Sequence, residues 1–320
     1  MIDQIWRVPA STGTLRRLLA CATLALAALA AAGPTTASAV TREYWIGATP
    51  TTWNIVPNGA DAILGTRYGN ETILPTVTYR RYTRGWKKLI RNSPADNVDS
   101  DRIPGPLLRA QVGDRILVHF KNFDTLFDRA HSMHFHGVSY KPSSDGAYLP
   151  GFSGRDGKVE PGRTWTYRLR AGPQSAGFWP YHDHSTSMHE SLAGGLYGGF
   201  SIRGRRERAP DREFVVVFAP TGEFQTINGH AFVGNTPVFR ARVGQLVQWN
   251  VMAIGSEHHT FHVHGHRWLD RGVPRDTQTV GPAESFRFRW REDARGTWFY
   301  HCHVEQHMER GMIGIYRVSR

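Results

Sequence analysis

The chain has 320 residues, 40% of them hydrophobic, with two cysteines and a formal net charge of +12. Such a length suits about two domains, each able to bury a sizeable core. The positive charge would suit nucleic acid or an anionic surface, but it is scattered as arginines at alternating positions, the pattern of solvated strand faces, and no nucleic-acid motif accompanies it.

Residues 1–39 read as a cleaved signal peptide. Arg7, Arg16 and Arg17 precede an apolar run over residues 18–32, and Ala37-Ser38-Ala39 offers a small-residue cleavage site. The run is shorter than the roughly 20 residues of a membrane span. Arg16-Arg17 carries part of a twin-arginine signal, and both that route and ordinary Sec export stay open. The mature chain is expected to begin at Val40 and to be secreted, extracellular or periplasmic, with no membrane span. Removing the segment's three arginines and one aspartate lowers the net charge from +12 to +10. It also removes Cys21 and leaves Cys302 as the one thiol, which is then inert, intermolecular or a ligand.

Past the signal the pattern is all-β. Trp165, Tyr167 and Leu169 alternate with Thr166, Arg168 and Arg170; Val247, Trp249 and Val251 with Gln248 and Asn250; Phe286, Phe288 and Trp290 with Arg287, Arg289 and Arg291. Period-two alternation marks half-buried strands, and the glycines and prolines between them mark turns of a sandwich or barrel. Four blocks recur in the same order. Leu108 to Asp114 returns as Phe239 to Gln245, and His131-Ser132-Met133-His134-Phe135-His136-Gly137 as His259-Thr260-Phe261-His262-Val263-His264-Gly265. The stretch around Pro161 returns around Pro282, and Gly177 to His184 returns as Gly296 to His303. The chain is therefore a duplication: residues 40–204 are one domain, 213–320 the other, and 205–212 a linker of Arg, Glu and Pro. Residues 79–97 find no partner in the second repeat and read as an insertion.

The repeats carry four His-x-His pairs: His134/His136, His182/His184, His262/His264 and His301/His303. On a strand the two histidines of a pair share a face while the middle residue takes the other. Eight imidazoles from two domains suffice for a three-metal cluster. In the last pair the middle residue is Cys302, with His307 and Met312 downstream. With one more histidine this is the His-His-Cys set with axial Met of a blue-copper centre; a structural zinc site is the competing reading. In the first repeat Asp183 replaces Cys302 and Leu196 replaces Met312, so that domain lacks the thiolate.

On these motifs the sequence resembles the multicopper oxidases, and among them the two-domain small laccases, over nearly all of residues 40–320. The resemblance implies two cupredoxin-like Greek-key domains in tandem and four coppers per chain. By the same matching, His259, Cys302, His307 and Met312 hold a type 1 copper, His134 and His262 a type 2 copper, and His136, His182, His184, His264, His301 and His303 a type 3 pair. Two-domain copper nitrite reductases share the fold but place the cysteine in the first domain. The implied activity is one-electron oxidation of phenols and aromatic amines coupled to four-electron reduction of O2 to water, in a homotrimer with clusters at subunit interfaces. A metallo-oxidase of Cu(I) or Fe(II) is the second reading, and a non-catalytic copper-binding protein the third. Asp145 and Glu305 match positions of proton-relaying acids, or else they orient a ligand histidine. Tyr140 matches an auxiliary electron source or a packed aromatic, and Asp276 a contact to donors or cluster water. His119, His131, His189, His230, His258 and His266 are expected to be structural or on the surface.

Overall fold

The computed structural model describes residues 40–91 and 103–320. The signal segment and its cleavage site, and the C-terminal part of residues 79–97, lie outside the described residues. The two repeats belong to one unit, Ala39–Arg320.

Domain 1 contributes β1 (Thr41–Asn54), β2 (Ile73–Tyr82), β3 (Gly105–Gln111), β4 (Arg115–Asn122), β5 (His134–Phe135), β6 (Ser139–Tyr140), β7 (Thr164–Arg170), β8 (Gly177–His182) and β9 (Tyr197–Arg203). Domain 2 contributes β10 (Arg212–Thr221), β11 (Phe224–Ile227), β12 (Val238–Arg242), β13 (Leu246–Ala253), β14 (His259–Val263), β15 (Trp268–Asp270), β16 (Val273–Arg275), β17 (Thr277–Val280), β18 (Ser285–Arg291), β19 (Gly296–Cys302) and β20 (Ile313–Ser319). Among the described residues two short α-helices interrupt them, α1 (Met188–Ala193) and α2 (Glu305–Glu309).

The duplication is visible in the pairing. Domain 1 packs sheet β2-β1-β4-β7-β6 on sheet β3-β9-β8-β5; domain 2 packs β11-β10-β13-β18 on β12-β20-β19-β14-β17. The parallel pairs β1 with β4 and β3 with β9 return as β10 with β13 and β12 with β20. Alternation and repeats led one to expect a duplicated all-β fold, and this is the tandem cupredoxin-like form of it that the resemblance implied. Each sandwich buries its own aromatic core, around Tyr79, Phe120, Tyr167 and Phe200 in the first and Trp249, Phe261, Tyr300 and Tyr316 in the second. A large side chain fully buried in this way contributes about 1.5–3 kcal/mol.

Two expectations change. Tyr79 is not an insertion: it pairs with Ala48 in β2 as Ile227 pairs with Phe218 in β11. Residues 80–82 carry β2 on along β1 past the point where the four-residue β11 stops, so they keep no counterpart in the second repeat. Nor are Arg287 and Arg289 on a solvated face. Arg287 donates to the Ile202 carbonyl at 3.0 Å, and Glu207, in the segment joining β9 to β10, meets both guanidiniums, at 3.0 and 2.8 Å. That side of β18 and β13 faces the other domain. At its centre the partly buried Glu213 accepts from Arg109 at 3.0 Å, Ser201 at 2.7 Å and Asn250 at 2.8 Å. Alternation reports which positions differ in polarity, and a polar face can be buried where its groups find partners. Beside this polar junction runs a third apolar core built from both domains, including Trp53, Ile103, Phe178, Val215, Val217 and Met252.

Candidate metal centres

Cys302 ends β19, the strand paired with both β14 and β20, and alternation there separates two donor sets. The thiol turns into the domain core. Its Sγ lies 3.8 Å from His259 Nδ1 and 3.7 Å from His307 Nδ1, and the two nitrogens are 3.1 Å apart. Cys302, His259 and Met312 are all fully buried, Met312 in the same core as the thiol. Two imidazole nitrogens and a sulfur converging on one point, with a thioether in the same core, are a donor set suited to copper. Burial first, then His307, holds His259 down to about 3, so it offers a neutral ring. Burial pushes the Cys302 thiol up, while the Thr260 amide, 3.3 Å from Sγ, supports the thiolate that a metal requires.

One residue away, His301 faces the other side. Its Nε2 is 3.1 Å from His264 Nε2, and His262, His264 and His301 form a second group able to hold a metal. His303, just past β19, meets His262 edge-on and His301 at a tilt, with centroids 5.5 and 5.4 Å apart. Domain 1 repeats the arrangement. His136 Nε2 lies 3.2 Å from His182 Nε2, and His134 is in ring contact with His136, His182 and His184. Burial holds His136, His182 and His301 down to about 4. Among the described residues, no hydrogen bond or ring contact joins the four histidines of one domain to those of the other.

Backbone carbonyls set the tautomers. His182 Nδ1 donates to Asp183 O and His301 Nδ1 to Cys302 O, each at 2.9 Å, which leaves Nε2 for a ligand. His134 Nδ1 bonds Asp145 O and His262 Nδ1 bonds Asp276 O, each at 2.7 Å. Asp145 and Asp276 are thus one position seen twice, an equivalence the four repeated blocks did not contain. After each first His-x-His comes a glycine at positive φ, Gly137 at 71° and Gly265 at 69°. A Cβ there would collide with Trp179 or Trp298. The turn needs glycine for both reasons.

The remaining candidates divide. The Asp145 carboxylate is 3.5 Å from His134 Nδ1, and Tyr140, centroid 6.2 Å from His134, is pushed up to about 12 by burial and then by Asp145. Asp276 is exposed and borders a cavity of about 480 Å³ with His262 and His266. Glu305, at the start of α2, is exposed, and the described residues give its side chain no hydrogen bond or ion pair. The sequence reading overlooked Glu257, whose Oε2 is 3.4 Å from His307 Nε2 and 2.7 Å from Gln225 Nε2. It borders a cavity of about 270 Å³ with Met188, His189, Leu192, Pro220 and Ile254. It lies outside every repeated block, so no spacing pointed to it. His266 is structural, as expected: it is buried against Glu292 at 3.0 Å.

Comparison with known proteins agrees with this arrangement. Models described as multicopper oxidase match residues 97–207 and 208–320, together most of the chain. Ferroxidase HEPHL1 of Homo sapiens is 30% identical over 88% of this chain, which spans 29% of that protein's length. A solved multicopper oxidase superposes with a TM-score of 0.68 at 25% identity, covering 87% of this chain and 89% of its own. A copper nitrite reductase from Nitrosomonas europaea shares the fold, with a TM-score of 0.66 at 18% identity over 88% and 94% of the two chains. No helix among the described residues is long and apolar enough to cross a membrane. The chain belongs to the multicopper oxidase family.

Proposed function

We propose that the protein is a laccase-type oxidase of small phenols and aromatic amines that reduces O2 to water, with four coppers per chain. The observation that carries this reading is the one-residue step on β19: Cys302 Sγ belongs to one donor set and His301 to another. Copper, when bound, would supply one-electron oxidation at His259, Cys302, His307 and Met312 and oxygen reduction at the eight remaining histidines. His134 and His262 would take the type 2 ion and the other six the type 3 pair. A donor would rest in the cavity between α1 and residues 254–257, where Leu192, Pro220 and Ile254 would hold an aromatic ring and Glu257, 3.4 Å from His307, could accept the proton of an oxidised phenol. Asp145 is suited to deliver protons at the His134 side. Copper content and electron paramagnetic resonance test the reading: four coppers per chain with one blue and one normal signal are expected, and two coppers would overturn it.

The ferroxidase relative favours a second reading, oxidation of Fe(II) or Cu(I), and the same cavity carries Glu257, Met188 and His189, which could receive a cation. Competition of a phenol against each metal ion decides between them, the better substrate being the one with the higher kcat/KM.

Two half-sets of histidines within one chain support assembly into a homotrimer, domain 1 of one copy meeting domain 2 of the next. Beside His184 lies a cavity bordered by Leu149 and Phe152, which are 58% and 86% exposed; domain 2 presents Leu269 and Val273 at 70% and 55%. Apolar loops this open call for cover. Phe152→Asp is expected to yield monomers with the blue site intact and oxygen reduction lost; a fully active monomer by light scattering would refute the assembly. The export signal read over residues 1–39 completes the proposal as a secreted or periplasmic enzyme.

A further inference from the structure

Domain 1 keeps the place where domain 2 gathers His259, Cys302, His307 and Met312, and backbone hydrogen bonds fix the correspondence. Asp183 N donates to Leu196 O at 2.9 Å as Cys302 N does to Met312 O at 3.0 Å; Leu196 N donates to Ser191 O at 2.9 Å as Met312 N does to His307 O at 3.0 Å. The four positions therefore read His131, Asp183, Ser191 and Leu196. Instead of a soft-metal donor set there is a closed polar cluster. The Asp183 carboxylate is fully buried; Oδ1 accepts from Ser132 N at 2.6 Å and Oδ2 from Ser185 Oγ at 2.7 Å. His131 Nδ1 stands 3.6 Å from Asp183 Oδ2, and its Nε2 is 3.1 Å from Asp124 Oδ2. Asp124 is anchored in turn by the amides of Leu126 and Phe127, each at 2.9 Å. Ser132, held by Asp183, accepts the His184 amide on its Oγ at 3.1 Å.

We propose that Asp183, with His131 and Asp124, is a metal-free clamp that positions His182 and His184, replacing the metal–thiolate bond that positions His301 and His303 in domain 2. In both repeats the carbonyl of the middle residue orients the first histidine, so the ring points wherever that residue's backbone is held. In domain 2 the middle residue is held through its sulfur, by the amides of Thr260 and Val304 and whatever metal the sulfur binds. In domain 1 it is held through a carboxylate that touches three side chains and one amide of the protein itself. A buried carboxylate persists only with such partners. The histidines of domain 1 are thereby set before any metal arrives, while those of domain 2 are completed by the blue site. Asp183 is a positioning residue: it acts through its neighbours.

The copper half of the test rests on the function proposed above; the exchange half does not. Amide hydrogen exchange of the full-length, metal-free protein should find the His184 amide, held on Ser132 Oγ, protected before copper is added; the His303 amide, bonded to the Thr260 carbonyl at 2.6 Å, is the internal reference in domain 2. Asp183→Asn should speed His184 exchange at least about tenfold and leave Cys302 unchanged. After copper is added, that variant should keep its blue absorption and lose the type 2 and type 3 signals. Should the single substitution abolish folding, the double variant His131→Gln/Asp183→Asn, which exchanges the ion pair for a neutral pair, is read the same way. Unchanged His184 exchange, or full type 2 and type 3 signals, would overturn the clamp. A wild-type protein that takes up no cluster copper would instead sink the oxidase reading and leave the exchange result to judge the clamp.

Discussion

Cys302, the last residue of β19, and Asp183, just past β8, occupy the same place in two copies of one sandwich, each between two histidines, each donating its amide to the fourth position of its site. One is wired to soft donors and the other to a His-Asp pair. The histidines around them are nonetheless oriented alike, with Nε2 pairs at 3.1 and 3.2 Å. The comparison teaches that the arrangement of the histidine face and the presence of a thiol donor set are separable: the fold supplies the first twice and the second once. A second difference lies deeper in domain 2. Glu292 binds His266, Trp290 and Tyr316 at 3.0, 3.1 and 2.5 Å, where the repeat in domain 1 has Ala171 facing Val138, Leu169 and Phe200.

The largest effect that would break the comparison is on the sulfur. Cys302→Ser is expected to bring blue absorption and donor oxidation to background while the histidine face stays in place; retained oxidation would mean that electrons enter elsewhere. Next come the paired aspartates, alike in backbone and different in side chain. The Asp276 carboxylate is turned toward Thr277 at 3.1 Å, whereas that of Asp145 sits beside His134 and Tyr140. Asp145→Asn should slow turnover about 10²-fold or more and displace its pH profile, with Asp276→Asn near wild type. Unchanged turnover of Asp145→Asn across pH would leave that carboxylate only an orienting role.

The smallest effect concerns acid stability. Burial alone would raise the Glu292 carboxyl, but His266, Tyr316 and the Ala294 amide hold it down to about 2 against an ordinary 4.5. A carboxyl lowered in the folded state stabilises fully above 4.5 and loses that contribution as pH falls toward 2. Domain 2 should therefore lose about 2 kcal/mol across that window, read by chemical denaturation at a series of pH values, and Glu292→Gln should flatten the dependence. An equal slope in the variant would place the acid sensitivity in another group.

Much of this was legible in the chain, because the chemistry repeats. Four His-x-His pairs in duplicated order gave the ligand faces, and the Asp183 and Leu196 replacements announced the absent thiolate. Three things were not legible. Glu257 reaches His307 from a loop with no counterpart spacing, and only the fold brings them together. For Glu305, exposed at the start of α2 on the single chain as His303 is just before it, spacing alone does not separate a proton relay from a residue that orients a ligand. The arginines of β18 read as solvated because period two separates the faces of a strand without saying what covers each.

The core shared by Trp53, Phe178, Val215 and Met252 makes each sandwich depend on the other. Either one standing alone would show those apolar side chains to water. A break between β9 and β10 is therefore expected to leave two sticky fragments rather than two independent domains.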